Sequence, residues 1–420
     1  MDEIPRRHKG TPVVGTSVTP LEALGEIEAP IFQTAAFGYA SAEEMADVFA
    51  GRAPGHVYTR LSNPTTLALE RRLTAAEDGI GALATASGMA AIAATSLGLL
   101  RPGDEIIAAK GIFGGAVSFF RNVLGRLSIR AVFVDGADTA QVEASVTDRT
   151  RALFVETIGN PAMDVPDLPA LGRLARARNI PLIVDSTLTT PELVRPGEHG
   201  AALVIHSTSK FINGHGTAIG GAVIDTGRFD WSRGPFEDVA AIARKAGAHA
   251  FLAHLRSVIA RDLGGCPAPQ SSFLMLQGLD TLSLRLKVHC ENALALARAL
   301  ADDPRVAAVG YPGLDSSPHF ERAQRLFGGR AGAVLTLRLG SLARAFALIN
   351  ALKSARRVAN LGETHTLVIH PASTIFREYQ PEDRLSLGVS DDLVRVSVGL
   401  EAFPVILADF RQALASAEKE

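Results

Sequence analysis

Two short apolar runs, each followed directly by polar residues, constrain the fold of this chain more than any other feature. Residues 182–185 read Leu-Ile-Val-Asp, and residues 203–210 read Leu-Val-Ile-His-Ser-Thr-Ser-Lys. Apolar runs of this length predict buried strands. In open α/β sheets, ligands bind at the carboxyl ends of the strands. We therefore expect Asp185 and Lys210 to face one ligand at one edge of a sheet.

An acid from one strand and a lysine with neighbouring hydroxyls from the next suit pyridoxal phosphate (PLP). A lysine amine forms a Schiff base with the aldehyde, and a carboxylate keeps the pyridinium nitrogen protonated so that the ring withdraws electrons. The small hydroxyls of Ser207 and Ser209 suit the phosphate. A Ser-Thr-Ser-Lys run by itself is usually only a polar turn, but Asp185 upstream and the glycine-rich residues 214–221 favour the PLP site.

The composition is compatible with such an enzyme and argues against several other classes. At 420 residues the chain exceeds the usual size of one core, so we expect two domains. A net charge of −2 without a basic run gives no indication of a nucleic-acid or membrane partner. Cys266 and Cys290 provide neither a disulfide framework nor a metal-site spacing, so we expect no metal and a reducing, cytoplasmic location. The charged residues 1–10 do not resemble a signal peptide.

One segment, residues 79–100, carries no charge and is long enough to span a bilayer. Most of its residues are Ala, Gly, Ser or Thr, which favours a buried strand, a turn and a helix instead. The turn is Ser87-Gly88-Met89. A small-residue turn that opens a helix binds anions through its backbone N–H groups, although a plain strand–helix junction is the commoner meaning of such a turn.

Strand and helix patterns alternate along much of the chain. Strands are predicted at 105–109, 129–134, 152–156 and 181–185, and helices at 66–80, 112–124 and 169–178. This alternation predicts an α/β fold with a large, parallel-rich sheet and helices on both faces. A long helix near residues 239–259 is expected to link this part to a smaller C-terminal α+β domain.

We divide the chain into an N-terminal arm (1–63), a PLP-binding domain (64–265) and a C-terminal domain (266–420). The arm is expected to be irregular because prolines at positions 5, 12, 20 and 30 preclude long helices there. A capping box formed by Ser41 and Glu44 predicts one short helix within it.

The chain resembles the Cys/Met-metabolism PLP-dependent enzymes, a fold-type I family of cystathionine γ-synthases and lyases, methionine γ-lyase and acylhomoserine sulfhydrylases. The motifs that carry the resemblance are Tyr58-Thr59-Arg60, Asp185, residues 207–210 and Arg395, in the family's order. The resemblance extends from about residue 30 to the C-terminus. It implies a homo-oligomer, a tetramer built from dimers, in which Tyr58 and Arg60 reach into the neighbouring subunit and grip the phosphate.

The resemblance also implies a role for each matching residue. Lys210 carries the Schiff base, with Tyr58 as a second catalytic residue. The implied cofactor-binding residues are Tyr58, Arg60, Gly88, Met89, Phe113, Asn160, Asp185, Thr187, Ser207, Ser209 and Lys210. Within this set Gly88 and Met89 hold the phosphate through backbone amides, Phe113 stacks on the pyridine ring, and Asn160 lies near the 3-hydroxyl.

Arg395, with Asn360 beside it, is implied to bind the substrate α-carboxylate. From the residues alone the assignment is less specific. An arginine on an alternating apolar strand is costly to bury without a partner. Arg395 is therefore expected either at the edge of a sheet or opposite a carboxylate supplied by a ligand.

Three segments resemble the O-acetylhomoserine sulfhydrylase branch of the family: residues 214–217, 360–362 and 369–374. Three features depart from it. Ile375-Phe376 stand where the branch has Thr-His, Phe113 replaces the usual tyrosine, and residues 236–262 lack a Pro-Ser-Tyr-His segment. We expect Ile375 and Phe376 to make the pocket for the incoming nucleophile more apolar.

The leading hypothesis is γ-replacement on an O-acylhomoserine, O-acetyl or O-succinyl, by sulfide or a thiol, as in methionine biosynthesis and transsulfuration. One alternative is a γ-lyase that acts on methionine or cystathionine. Another is γ-replacement with a carbon or nitrogen nucleophile in a specialised pathway. A non-catalytic α/β binding protein is a third possibility, which the intact Lys210 disfavours.

Overall fold

A mixed seven-stranded sheet contains the strands that the sequence predicts around Asp185 and Lys210. The structure is a computed structural model and describes residues 27–418. In chain order the strands are β1 (Gly81–Thr85), β2 (Glu105–Ala109), β3 (Arg130–Val134), β4 (Thr150–Glu156), β5 (Leu182–Asp185), β6 (Leu203–His206) and β7 (Gly221–Asp225). Their order across the sheet is β1-β7-β6-β5-β4-β2-β3.

The five neighbouring strands from β6 to β3 run parallel, whereas β7 is antiparallel to both β6 and β1. The predicted parallel-rich α/β sheet is therefore confirmed, with an antiparallel addition at one side. Strands β5 and β6 are fully buried, which explains why they read as continuous apolar runs and do not alternate. Glu156 lies opposite Asp185 in the register of β4 and β5, so the carboxyl ends of these strands meet at one edge.

Fifteen α-helices occur in residues 27–418. They are α1 (Ala42–Phe49), α2 (Pro64–Ala76), α3 (Gly88–Leu99), α4 (Gly114–Ser118), α5 (Thr139–Ala144), α6 (Leu168–Ala177), α7 (Thr190–Leu193), α8 (Glu237–Ala246), α9 (Ala250–His254), α10 (Arg261–Leu263), α11 (Pro269–Ala301), α12 (Phe320–Phe327), α13 (Leu342–Ala351), α14 (Pro381–Ser386) and α15 (Phe403–Ala417). Helices α4 and α9 continue as π-helical turns over Phe119–Leu124 and Leu255–Ala260. Helix α1 begins as predicted, since Ser41 Oγ accepts the Glu44 N–H at 3.0 Å.

A second, five-stranded sheet forms in the C-terminal part. Its strands are β8 (Ala308–Gly310), β9 (Val334–Arg338), β10 (Arg356–Arg357), β11 (Leu367–Ile369) and β12 (Leu393–Ser397), in the order β10-β11-β12-β9-β8. Strand β12 pairs with β11 on one side and β9 on the other, so Arg395 lies on an interior strand. The expectation of a sheet edge for Arg395 is wrong, because residues 367–369 cover that side.

The predicted linking helix near residues 239–259 is interrupted. Helix α8 ends at Ala246, Gly247 adopts a φ of +56°, and α9 begins at Ala250. A positive φ is readily adopted by glycine and ends a helix there. Helix α11, 33 residues long, instead connects the two sheets and packs against α2 and α15.

The two sheets occupy separate parts of the chain, residues 81–225 and 308–397, and the division into domains at residues 63 and 265 remains a prediction. Residues 1–26 of the predicted arm lie outside the described residues. The uncharged segment 79–100 forms β1 and α3, as predicted. Over residues 27–418, no helix has both the length and the apolar character needed to cross a membrane.

Candidate active site

A cavity of about 810 Å³ lies between the carboxyl edge of the large sheet and the smaller sheet. Most of the predicted site residues line it, and they come from both halves of the chain. They are Gly88, Met89, Phe113, Asn160, Asp185, Thr187, Ser207, Ser209, Lys210, Asn360 and Arg395. The structure thus brings together eleven residues that span more than 300 positions of sequence, from residue 88 to residue 395.

The Asp185 carboxylate is held by the residue two positions after it. Its Oδ1 accepts hydrogen bonds from Thr187, from N–H at 2.9 Å and from Oγ1 at 2.5 Å. Thr187 Oγ1 in turn accepts the Ser207 N–H at 2.8 Å, which ties the ends of β5 and β6 together. Asp185 is only 8% exposed. Burial raises its pKa, and the hydrogen bonds from Thr187 oppose that shift. A cation placed beside this carboxylate would favour its charged form.

The N-terminus of α3 forms an anion cradle against the end of β6. The first N–H groups of a helix have no partner within the helix, and Ser87 Oγ accepts that of Ala90 at 3.1 Å. Gly88 and Met89 follow Ser87 and line the cavity. A Cβ on Gly88 would lie 2.7 Å from the Cβ of Ser207, so only glycine permits this close approach.

The two serines near Lys210 are not equivalent. The Ser209 hydroxyl donates to the Gly220 carbonyl at 3.0 Å and accepts the Gly220 N–H at 2.9 Å. Ser207 contributes its side chain to the cavity beside Gly88. To donate to a phosphate, the Ser209 hydroxyl would therefore have to give up its hydrogen bond to the Gly220 carbonyl, a competition that the sequence did not indicate.

Lys210 lies between the two sheets. Its Nζ donates to the Oδ1 of Asn360. Burial lowers the pKa of Lys210, the positive charge of Arg395 lowers it further, and the negative charge of Glu363 raises it. A lysine with a lowered pKa holds more of the neutral, nucleophilic amine near neutral pH. The turn that carries Lys210 is fixed by Arg285 of α11, which donates to the carbonyls of Phe211 at 2.8 Å and Ile212 at 3.2 Å.

Arg395 is a buried guanidinium with polar neighbours but no ion pair among the described residues. It is 4% exposed. Nη1 donates to Asn160 Oδ1 at 3.1 Å, and Nη2 donates to the Asn360 carbonyl at 3.1 Å. Burial lowers its pKa to about 10. Such a charge is costly without a counter-ion, and its planar fork suits a carboxylate. This geometry agrees with the second sequence-based expectation, a carboxylate supplied by a ligand.

Glu156 also lines the cavity, and sequence reasoning assigned it no role. It ends β4 beside Asp185, and its Oε1 accepts the Phe113 N–H at 2.7 Å. Burial, and then the charge of Asp185, raise the pKa of Glu156 well above its usual value. The signal was available, since the strand-end rule that singled out Asp185 applies equally to Glu156. Arg285 had no such signal, because it lies in a helix distant in sequence.

Tyr58 and Arg60 do not line this cavity. Tyr58 is 43% exposed, and the guanidinium of Arg60 lies 5.7 Å from the centre of its ring. Arg60 Nη1 also donates to the Arg261 carbonyl. Their position outside the cavity of their own subunit is compatible with a role in a neighbouring subunit, which remains a prediction.

Within the cavity, the residues fit PLP. Lys210 provides an amine, Asp185 an acid, α3 a cradle for an anion, and Phe113 an aromatic face. Gly88 is the most specific feature, because its missing side chain leaves room where the helix terminus approaches Ser207. The buried Arg395, on strand β12 of the smaller sheet, adds a cation that suits a second anion.

Comparison with known proteins gives a match over nearly the whole chain. A family model described as "Cys/Met metabolism PLP-dependent enzyme" matches residues 10–415. O-acetyl-L-homoserine sulfhydrylase 1 of Thermus thermophilus is 41% identical over 92% of this chain and 95% of its own length. Homocysteine synthase of Schizosaccharomyces pombe is 39% identical over 92% of this chain and 93% of its own length. L-methionine gamma-lyase of Pseudomonas putida is 36% identical over 94% of each chain.

Solved structures agree with these relationships. A putative O-acetylhomoserine (thiol)-lyase from Campylobacter jejuni superimposes with a TM-score of 0.89 at 29% identity, over 96% of this chain and 99% of that one. Its crystal structure contains N'-pyridoxyl-lysine-5'-monophosphate. Cystathionine gamma-lyase from Lactobacillus plantarum, in complex with L-serine, gives a TM-score of 0.85 at 28% identity, over 97% of this chain and 98% of that one.

Proposed function

We propose a function for this chain on the premise that it belongs to the Cys/Met metabolism family of PLP-dependent enzymes. It is a PLP-dependent enzyme that catalyses γ-replacement on an O-acylhomoserine, with sulfide or a thiol as the incoming nucleophile. The observation that carries the proposal is the buried Arg395, which faces the same cavity as Lys210 and has no carboxylate partner among residues 27–418. The sulfhydrylase and homocysteine synthase relatives support the choice of reaction.

Three residues of the cavity have distinct tasks in this reaction. Arg395 binds the substrate α-carboxylate and thereby places Cα near Lys210. When bound, PLP supplies an electron-withdrawing ring that acidifies the hydrogens at Cα and Cβ. Asp185 stabilises the protonated ring nitrogen. Lys210 Nζ accepts the proton from Cα and then moves a proton at Cβ, a task that suits an amine whose pKa is lowered by burial.

The leaving group at Cγ needs little help from the protein. An acyloxy group departs as a carboxylate, whose conjugate acid has a pKa of about 4. Phe113 lines the cavity but has no proton to give. The thiol that forms from a departing thiolate has a pKa of about 8.5 or higher, so that leaving group needs a proton donor more than a carboxylate does. The absence of a donor at position 113 therefore supports an acylhomoserine substrate over a thioether.

The side chain at position 375 affects which nucleophile the pocket accepts. It lines the cavity, whereas Phe376 is buried against Gly114 and does not, so only one of the two expected residues reaches the pocket. An apolar side chain there supports a small neutral nucleophile. A γ-lyase remains the alternative because a methionine gamma-lyase is also 36% identical. A carbon or nitrogen nucleophile is the further variant that the departure at position 375 leaves open.

We also propose that the protein works in the cytoplasm as a homotetramer built from dimers, in methionine biosynthesis or transsulfuration. The two free cysteines, Cys266 and Cys290, support a reducing location. The exposed Tyr58 and the position of Arg60 outside their own cavity support active sites shared between subunits.

A substrate panel tests the proposal. Holoenzyme is incubated with O-acetyl-, O-succinyl- or phosphohomoserine, cystathionine or methionine, each with and without sulfide, and homocysteine and 2-oxobutyrate are quantified. We expect homocysteine from an acylhomoserine only when sulfide is present. Lys210→Ala provides the matched control. Comparable 2-oxobutyrate from methionine without sulfide would instead establish the γ-lyase, and no turnover of any acylhomoserine would refute the proposal.

A further inference from the structure

Phe113 presents an aromatic ring to the cavity, yet the ring is only partly covered by the protein. It is 38% exposed and lines the cavity together with Lys210 and Asp185. The residue immediately precedes α4, with φ −50° and ψ 129°. The contacts that hold the Phe113 backbone therefore help to set where the ring lies in the cavity.

Glu156 holds that backbone. Its Oε1 accepts the Phe113 N–H at 2.7 Å, and Glu156 is itself only 6% exposed. Phe113 and Glu156 are 43 residues apart in sequence, so this bond joins the end of β4 to the start of α4. The short helix α4 is thereby attached to the parallel part of the sheet.

One glycine, Gly115, packs against the Phe113 ring, and its neighbour Gly114 packs against Phe376. A Cβ on Gly115 would lie 2.5 Å from Cε1 of Phe113, so the ring rests against the first turn of α4 where a side chain is missing. A Cβ on Gly114 would lie 3.1 Å from Phe376, and the Gly114 carbonyl accepts the Tyr379 hydroxyl at 2.8 Å. The start of α4 is therefore fixed from three directions.

The charge on the Glu156 carboxyl follows from its neighbours. Asp185 lies opposite it in the strand register and receives both hydrogen bonds from Thr187. Glu156 receives only the Phe113 N–H among the described residues. Two adjacent buried carboxyls do not both ionise readily. Burial and the charge of Asp185 raise the pKa of Glu156 well above its usual value, whereas the hydrogen bonds from Thr187 oppose the rise at Asp185, so Glu156 is protonated more readily than Asp185.

We propose that Glu156 is a positioning residue, which fixes the Phe113 N–H and so sets the aromatic face that the cavity presents to the cofactor. It does this as an uncharged acceptor, leaving the single negative charge at this edge to Asp185. The inference rests on the proposed function in that it concerns the same site, but it requires no particular substrate.

The amide hydrogen of Phe113 reports on this role directly. In wild-type holoenzyme, hydrogen–deuterium exchange resolved to single amides is expected to show protection at Phe113 and rapid exchange at Gly114 and Gly115. In Glu156→Ala the Phe113 amide should exchange roughly tenfold faster, as expected for the loss of one hydrogen bond. Glu156→Gln keeps a neutral acceptor and should exchange like the wild type.

Glu70→Ala is the matched control, because Glu70 is another buried carboxyl that accepts a backbone N–H, from Ala84 at 2.9 Å. It should leave exchange at Phe113 unchanged. The visible circular dichroism of the bound cofactor is a second readout. It should change in Glu156→Ala and in Gly115→Ala, which displaces the ring directly, and should be retained in Glu156→Gln.

The wild-type measurement keeps the inference testable even if Glu156→Ala fails to fold. Equal exchange at Phe113 and Gly114 in the wild type would overturn it. So would a Glu156→Gln variant whose exchange and dichroism match those of Glu156→Ala, because the charge would then be essential. If these results hold but no acylhomoserine is turned over, the proposed function fails and the role of Glu156 stands.

Discussion

Arg395 donates from Nη1 to Oδ1 of Asn160 at 3.1 Å, and this bond joins an interior strand of the smaller sheet to the loop after β4 of the larger one. The two residues are 235 positions apart. The second guanidinium bond, to the Asn360 carbonyl, fixes the fork from the other side. The proposed carboxylate receptor therefore exists only when both sheets are assembled around the cavity.

Replacing Arg395 should weaken substrate binding more than it slows the chemical step. Arg395→Met removes a charged hydrogen-bond donor worth about 1.5–3 kcal/mol, so we expect KM for the acylhomoserine to rise roughly tenfold to a hundredfold. Arg395→Lys keeps the charge but loses the planar fork of donors, so its KM should lie between those of the wild type and Arg395→Met. Arg338→Met, on the adjacent strand β9 and largely exposed, is the control. An unchanged KM in Arg395→Met would show that Arg395 does not bind the substrate carboxylate.

The lowered pKa of Arg395, about 10 because of burial, predicts a pH dependence of anion binding. The charged form binds a carboxylate, and it is lost as the pH rises through about 10. The affinity of a carboxylate inhibitor that lacks an amine should therefore fall about tenfold per pH unit above that value. Isothermal titration calorimetry of the holoenzyme measures this affinity at each pH, and the corresponding neutral amide serves as the control ligand. An affinity that is flat up to pH 11 would contradict the prediction.

Lys210 should be the lysine that carries the cofactor. Reduction of holoenzyme with borohydride should fix PLP to the peptide that contains Lys210, because its amine has a lowered pKa and lines the same cavity as Asp185. Peptide mapping by mass spectrometry provides the readout. Lys210→Ala should give no stable label, and a label on any other lysine of the wild type would overturn the assignment.

The position of Arg60 outside the cavity predicts complementation between inactive subunits. In a mixed dimer of Lys210→Ala and Arg60→Ala, one site contains both changes and the other contains neither. Such a dimer should retain about half of the wild-type activity, if sites are shared across a two-fold interface. Differently tagged subunits allow the hybrid to be purified and assayed. Complete inactivity of verified hybrids would argue for a site contained within one subunit.

Phe113→Tyr should raise cleavage of carbon–sulfur bonds relative to acyl transfer. The added hydroxyl can protonate a departing thiolate, and general acid catalysis typically contributes ~10²–10⁴-fold. A departing carboxylate, with a pKa of about 4, gains little from such a donor. Elimination from methionine or cystathionine is compared with consumption of O-acetylhomoserine in both proteins. A wild type that eliminates thiol as readily as it consumes acylhomoserine would show that Phe113 does not set this preference.

Much of the active site could be predicted from local patterns in the sequence. The apolar runs that end at Asp185 and His206 are strands, and the uncharged segment 79–100 is a strand, a turn and a helix. These predictions succeed because a short buried strand and a helix that begins at a glycine are both encoded by residues adjacent in sequence. The strand-end rule also pointed to Glu156, but nothing in the sequence indicates that its partner is the backbone of Phe113.

Tertiary structure alone decided what each side chain meets. Residue spacing left Arg395 either at a sheet edge or opposite a ligand, and the pairing of β11 with β12 removed the first alternative. The same holds for Arg285, which fixes the turn of Lys210 from a distant helix, and for Ser209, whose hydroxyl is bound to Gly220. A local pattern determines the type of an element because it depends on nearby residues, whereas burial and hydrogen-bond partners depend on elements that the chain brings together from hundreds of residues away.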